Sequence, residues 1–207
     1  MKVFKLMLVA AAVAVSTCAM AQDLSFGVKA GLNFSKFTGD VESGQKSIVG
    51  INLGAYADYN LSDMFAVEAG LQFEQKGGKQ ENNDDGEKST EQSKVNYFTV
   101  PVNARINLAL GDNTLYFLAG PTFGIGISGK EKDECDGESE ESTIRFGSGE
   151  DDDITRMNVG FLIGAGYELS NNIGVRLTYD IGLSNLSGDS KSKCKTGVLG
   201  IAVTYKF

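Results

Sequence analysis

Charged residues recur inside apolar segments of the sequence, where they could do chemistry. Two pairs of these carboxylates, Glu68 with Glu168 or Asp58 with Asp180, could act as general acid and general base if each pair met in one cleft. Nearby cations could instead neutralise the carboxylates as buried ion pairs, and we favour this interpretation. The expected interior charge network consists of Lys29, Asp58, Glu68, Arg105, Glu168, Arg176, Asp180 and Lys206.

The residues that other catalytic mechanisms need are absent from the sequence. The chain has no His, which excludes the Ser-His-Asp and Cys-His nucleophiles and metal sites built on His. Gly120, Gly124 and Gly126 resemble a phosphate-binding loop only superficially, because no helix follows them. We therefore predict a non-enzymatic protein without a cofactor.

Three cysteines are present and form no C-x-x-C pair. Cys18 lies in the N-terminal segment, whereas Cys135 and Cys194 lie in polar segments. In an oxidising compartment these two could form a disulfide, or both could remain free thiols.

An acidic segment spans residues 129–153, where eleven acids outnumber three bases. Asp133–Glu138 and Glu150–Asp153 could hold calcium through carboxylates, but their spacing does not match an EF-hand. A solvated acidic loop is the favoured interpretation. The whole chain of 207 residues carries a net charge of −8, so a nucleic-acid partner is not expected.

The N-terminus has the pattern of a secretory signal peptide. Lys2 and Lys5 precede the apolar run Leu6–Val15, and Ala19-Met20-Ala21 supplies the small residues of a cleavage site. We predict a signal peptide over 1–21 and one barrel domain over 22–207. A lipoprotein signal ending at Cys18 fits less well, because Thr17 would precede the modified cysteine.

The rest of the chain alternates between apolar and small or polar residues. A period of two is typical of a β-strand with one apolar face, as Ile173–Leu183 illustrates. The pattern predicts eight strands: Leu24–Phe34, Val49–Tyr59, Phe65–Phe73, Phe98–Leu108, Leu115–Ile127, Met157–Leu169, Ile173–Leu183 and Leu199–Phe207. Short turns alternate with longer polar loops at about 37–47, 76–94, 129–153 and 185–195, an asymmetry typical of transmembrane barrels.

Volume and charge decide which face points outward. An eight-stranded barrel is only wide enough inside for its own side chains, so the large apolar residues do not fit there. The opposite face is small, polar and balanced in charge. We therefore predict an all-β, eight-stranded antiparallel up-and-down transmembrane β-barrel in membrane lipid, with a soluble barrel holding an apolar ligand as the alternative.

Two smaller expectations follow from this barrel. Pro101 and Pro121 fall within strands of a closed sheet, so each predicts a bulge or a locally missing ladder bond. Aromatic residues at the turn-side strand ends could form a girdle at the membrane surface or reflect ordinary β-propensity. They are Tyr59, Phe65, Tyr167, Tyr205 and Phe207.

Several segments resemble the PorT-like outer-membrane β-barrel family. They are the first strand FGVKAGLNFSKF, the strand YFTVPVNARINL, the segment GFLIGAGYEL and the terminal VTYKF. The resemblance implies an eight-stranded barrel in the outer membrane of a Gram-negative bacterium, similar in size to OmpA and OmpX. It also implies that the barrel-assembly machinery reads Phe207 as an assembly signal.

The sequence thus predicts an integral outer-membrane protein with an ion-paired, largely plugged interior and an acidic external loop for envelope structure or an unknown surface partner. A small pore or an accessory of transport or secretion is the alternative.

Overall fold

The computed structural model describes residues 23–39, 45–84, 87–135, 138–146, 154–186 and 194–207. They form ten β-strands: β1 (Leu24–Gly39), β2 (Gln45–Lys46), β3 (Ile48–Asn60), β4 (Phe65–Asp84), β5 (Glu87–Leu110), β6 (Asn113–Cys135), β7 (Glu138–Thr143), β8 (Met157–Glu168), β9 (Ile173–Gly182) and β10 (Cys194–Lys206). Within these ranges, no helix is long and apolar enough to cross a membrane. The predicted signal peptide lies outside the described residues.

Eight of these strands close into a ring. Its order is β1-β3-β4-β5-β6-β8-β9-β10, and every neighbouring pair is antiparallel. The first and last strands pair from Gly27 opposite Lys206 to Gly39 opposite Cys194, which covers all of β10. The predicted eight-stranded barrel is therefore confirmed, and closure leaves its backbone groups paired within the sheet.

The outward face of the ring is apolar. Leu177 and Val175 on β9 are both 52% exposed, whereas Arg176 between them is 2% exposed. The same alternation runs along the other ring strands, where large aliphatic and aromatic side chains face outward and polar side chains face the lumen. Only a lipid environment stabilises such a surface, as predicted.

Two further strands and long hairpin extensions lie where polar loops were predicted. β4 and β5 continue to Asp84 and Glu87, and β6 continues to Cys135 and pairs with β7. The prediction of loops at 76–94 and 129–135 is wrong because these strands extend past the lipid-facing band. Their outward face is polar there, so the apolar alternation that marks a membrane strand is lost.

Both prolines interrupt a ladder without shifting its register. The pairing of β4 with β5 omits Gly70 and Leu71 opposite Pro101 and Val100, then resumes in the same register. The pairing of β5 with β6 omits Pro121 and Gly120 of β6, opposite Val102 and Asn103 of β5, and also resumes in the same register. The predicted missing ladder contacts are therefore confirmed. The register shift between these strands occurs elsewhere, between Asn96 and Tyr97.

Short turns gather at one end of the barrel. The turn after β5 contains Gly111 at φ 65°, and the turn after β8 contains Asn172 at φ 67°, both in the left-handed region that Gly and Asn tolerate best. The aromatic residues predicted as a girdle lie at this end with exposed rings: Tyr59, Phe65, Tyr167, Tyr205 and Phe207. Tyr205 and Phe207 contact each other edge to face at 5.4 Å.

Candidate functional site: the barrel interior and its outer mouth

Arg105 on β5 is the centre of an ion cluster near the turn end of the lumen. Its guanidinium Nη1 lies 2.7 Å from Asp58 Oδ2 and 3.6 Å from Glu68 Oε2, and its Nη2 lies 3.2 Å from Glu168 Oε2. Lys206 Nζ approaches Asp58 at 3.6 Å and Glu168 at 3.9 Å. Inward-facing positions on five different strands therefore meet in one network.

Glu68 and Arg176 form the most direct pair in the lumen. Two parallel contacts join them, Nη1 to Oε1 at 2.8 Å and Nη2 to Oε2 at 2.6 Å, in a side-by-side geometry that fits a carboxylate. Arg176 Nε also donates a hydrogen bond to Tyr116 Oη at 3.0 Å. The guanidinium lies 4.8 Å from the ring centre of Tyr56, and the Arg105 guanidinium lies 3.9 Å from that of Tyr116. Tyr116 therefore contacts both guanidinium groups, and Tyr56 contacts that of Arg176.

A second ion cluster lies further along β4, towards the outer mouth. Lys76 Nζ contacts Asp180 Oδ2 at 2.9 Å and Glu74 Oε2 at 3.1 Å. Asp180 Oδ1 accepts a hydrogen bond from Thr122. Sequence analysis missed Glu74 and Lys76, because Lys76 was assigned to a loop. The continued alternation of β4, with Glu74 and Lys76 two residues apart, was the available signal.

Lys29 is the exception among the eight predicted interior charges. It is 8% exposed, and no carboxylate among the described residues lies within ion-pair distance of it. The other seven lie in the two clusters. Including Glu74 and Lys76, the lumen-facing charges are five cations and five anions among the described residues, so the interior is neutral as a whole.

The four carboxylates considered as catalytic pairs are held by cations. Glu68 is bound by Arg176 and Glu168 by Arg105, while Asp58 and Asp180 lie in different clusters. Each carboxylate is therefore engaged in charge-assisted contacts within a filled lumen, an arrangement suited to structure.

An apolar plug, defined here as Val95, Tyr97, Ile144, Phe146 and Ile154, covers the outer end of the polar lumen. The chain after β7 turns inward, and Phe146 forms a bridge with Ile154. Gly126 and Gly129 of β6 provide the space for two plug side chains. A Cβ at Gly126 would lie 2.6 Å from the Phe146 ring, and one at Gly129 would lie 2.9 Å from Ile144. Sequence analysis missed this plug, although Ile144 and Phe146 are apolar residues in an acidic segment.

Comparison with known proteins places the chain in a family. Residues 20–188 match the family described as Outer membrane protein beta-barrel domain. The chain belongs to that family. It is accordingly an outer-membrane β-barrel protein, with its apolar face in lipid. The narrower PorT-like resemblance stays a prediction.

The chain is similar at low identity to solved structures of other outer-membrane barrels. Ail of Yersinia pestis, in complex with the heparin analogue sucrose octasulfate, is 19% identical, with 90% of this chain and 100% of that chain covered and a TM-score of 0.47. Neisserial surface protein A is 14% identical, with coverages of 88% and 97% and a TM-score of 0.47. OprG from Pseudomonas aeruginosa is 12% identical, with coverages of 88% and 95% and a TM-score of 0.47. No curated protein matches the sequence significantly.

Of the two cysteines predicted as a possible bridge, the structure describes the side chain of Cys194 alone. Cys194 carries a free, half-buried thiol, and burial raises its pKa. Cys194 lines a cavity together with Glu131 of β6, whereas Cys135 is four residues further along that strand, about 13 Å in extended chain. The disulfide between Cys135 and Cys194 stays a prediction.

The acidic segment of the barrel is partly a hairpin. Lys130 of β6 pairs with Glu141 of β7 at 3.1 Å, and Lys132 lies 3.5 Å from Glu134. Within the described ranges no group of three or more acidic, Cys or His residues is arranged to hold a metal, while the run 150–153 considered for calcium lies outside them. Phe207 ends the chain 71% exposed, and its backbone N–H donates to Phe26 O at 2.8 Å.

Proposed function

We propose that this outer-membrane barrel is a non-enzymatic surface protein that does not conduct ions and that presents its acidic hairpin extension to a cationic partner outside the cell. The observation that carries the proposal is the filled lumen, in which two ion clusters are followed by an apolar plug. Moving an ion through it would require separating buried pairs such as Arg105 with Asp58, both 1% exposed.

The hairpin extension supplies the surface in this proposal. Beyond the lipid-facing band, β4, β5, β6 and β7 continue as one sheet, and among the described residues β7 (Glu138–Thr143) pairs only with β6. Glu140 and Glu141 on β7 are exposed. A field of one sign favours encounter with partners of the opposite charge, and this attraction weakens as salt increases.

Planar-bilayer recording tests the closed lumen. The refolded barrel is expected to give no steady single-channel current. The matched variant Ile144→Ser, which removes an apolar side chain of the plug, leaves the membrane-embedded ion clusters intact and is expected to stay closed as well. A steady current from the unmodified protein would overturn the proposal.

A small pore or transport accessory is the second candidate, and one observation favours it. The side-chain amide of Gln72 makes no hydrogen bond to the described residues, and Asn33, Asn52 and Asn103 each have an amide atom in the same condition. The middle of the lumen therefore has more polar atoms than its side chains can pair with one another, as expected where water passes. The same recording separates the two candidates.

Binding to a polycation tests the surface role. Cells that display the barrel are expected to retain a fluorescent polylysine more than cells displaying a variant with Glu140→Gln and Glu141→Gln. The difference should shrink at high ionic strength. Equal retention by both would refute the role of the hairpin.

We also propose that Phe207 is read by the barrel-assembly machinery. Its exposed ring at the end of β10 supports this role. Phe207→Ala should lower the amount of folded barrel in cells while leaving refolding of the purified chain unchanged. An equal loss in both assays would make the residue structural.

A further inference from the structure

A cavity of about 270 Å³ lies at the outer mouth of the barrel, directly above the apolar plug. On β4 and β5 its lining residues come after Gln75 and before Asn96, the polar outward-facing residues that end the lipid-facing band. The extended strands thus line the cavity outside the membrane.

One wall of this cavity is apolar. Phe37 of β1, Ile144 of the plug and Leu186 before β10 contribute carbon surface from three separate parts of the chain. Ile144 is 4% exposed and Leu186 is 3% exposed, so both side chains are held in place by packing. An apolar wall of fixed side chains favours an apolar group of similar size.

Two carboxylates also line this cavity. They are those of Glu91 of β5 and Glu131 of β6, and none of the described lining residues is lysine or arginine. Ser93 Oγ donates a hydrogen bond to Glu131 Oε1 at 2.9 Å, which leaves the other oxygen of this carboxylate available. The buried side-chain oxygen of Gln45 accepts no hydrogen bond from the described residues. These residues therefore offer acceptors and negative charge.

We propose that the cavity binds a small primary amine with an apolar tail. The ammonium group donates to Glu131 and faces Glu91, and the tail packs on Phe37, Ile144 and Leu186. An ammonium enters a partly buried site only where a carboxylate compensates its charge, and these two carboxylates provide that compensation. The inference is independent of the proposed surface partner and of whether the lumen conducts.

Cys194 provides the reporter for a test because its side chain lines the same cavity. In the folded full chain with Cys18→Ser and Cys135→Ser, the Cys194 thiolate attacks the sulfenyl sulfur of a methanethiosulfonate, forming a mixed disulfide and releasing methanesulfinate. Measurements at pH 8.5 leave an alkylamine protonated, since its pKa is near ~10.4 as for lysine. The probe is hexylamine, and hexanol and hexanoate are controls of equal chain length.

We expect the 2-aminoethyl reagent to modify Cys194 at least about fivefold faster than the 2-sulfonatoethyl reagent, the preference expected beside carboxylates. Hexylamine should slow both reactions, whereas hexanol and hexanoate should protect weakly. Glu131→Gln should abolish the protection by hexylamine. Glu134→Gln, on the same strand but exposed, should leave it unchanged.

Each contrary outcome overturns the inference. Equal protection by hexanol would show an apolar site without charge recognition, and stronger protection by hexanoate would show an anion site. Absence of modification by either reagent would show a cavity closed to ligands. Should Glu131→Gln fail to fold, calorimetric titration of the unmodified barrel with hexylamine decides, and the absence of saturable heat refutes binding.

Discussion

Removal of one partner from the Glu68–Arg176 pair should destabilise the barrel strongly. Glu68→Gln keeps the shape of the side chain but leaves the Arg176 guanidinium, 2% exposed, without its carboxylate. Two charge-assisted contacts of 2.8 and 2.6 Å are weakened at once. Hydrogen bonds to charged groups contribute about 1.5–3 kcal/mol each, and breaking a buried ion pair costs about 3–5 kcal/mol.

The remaining contacts of Arg176 place the expected loss near the lower end of that range. Its hydrogen bond to Tyr116 and its position over Tyr56 are preserved in the variant. We therefore expect the free energy of unfolding to fall by about 3 kcal/mol. The double variant Glu68→Gln with Arg176→Met removes both charges and should recover at least about 1 kcal/mol of this loss.

Urea unfolding of the barrel in lipid vesicles measures these differences. Far-UV circular dichroism is the appropriate signal, because the chain has no Trp for fluorescence. Heat-modifiable migration on a gel reports the folded fraction independently. The control Glu81→Gln alters an ion-paired carboxylate of the same strand outside the membrane and should leave the midpoint unchanged. A loss below about 1 kcal/mol for Glu68→Gln would refute the view that this pair is desolvated.

Three further predictions concern other parts of the barrel. Gly120→Ala should abolish heat-modifiable folding, because its Cβ would overlap the backbone of the neighbouring strand β5, whereas Gly124→Ala should fold, since its Cβ would come no closer than 3.3 Å to a side chain. Leu177→Arg on the lipid face should reduce the free energy of unfolding by about 2–4 kcal/mol in vesicles, and a smaller effect than Leu177→Ala would contradict lipid exposure. The pKa of Glu81 is lowered to about 2 by hydrogen bonds from the lysine ammonium groups of β2 and β4. Because these ion pairs are screened by solvent, their contribution to the free energy of unfolding is small; it is present above the ordinary glutamate pKa and is lost as pH falls through about 2. A carboxyl NMR titration checks this value, and a midpoint near 4.3 would contradict it.

The lipid-spanning part of the fold could be predicted from the sequence because lipid on one face of each strand and the polar lumen on the other produce an alternating pattern. Lipid requires an apolar side chain at every second position and the narrow lumen accepts small or polar ones, as along Ile173–Gly182. Beyond the membrane the outward face meets water, and this contrast ends. The continuation of β4 to Asp84 and the pairing of β7 with β6 therefore have no alternation of apolar and polar residues by which the sequence could predict them.

The sequence predicts which side chains face the barrel interior, because inward and outward positions alternate along each strand. Residues such as Arg105 and Asp58 face inward because of their place in the alternation, but their partnership depends on the register between strands, which sequence periodicity does not specify. The lack of an ion pair for Lys29 has the same origin. The inward turn after β7 depends on long-range packing of Phe146 against Gly126 and could not be read from local spacing.

A single extra residue in β6 connects the membrane barrel to its outer mouth. Tyr97 lies opposite Gly126 and Asn96 lies opposite Ser128, so Ile127 is the residue inserted at the register shift. Both residues 127 and 128 face outward as a result, and the inward face resumes at Gly129. Since a one-residue slip exchanges the two faces of a strand, this bulge is what directs Gly129 to the plug and Glu131 to the cavity. Without it, alternation would direct both of them to the outside, so the apolar plug and the proposed amine site depend on the same irregularity.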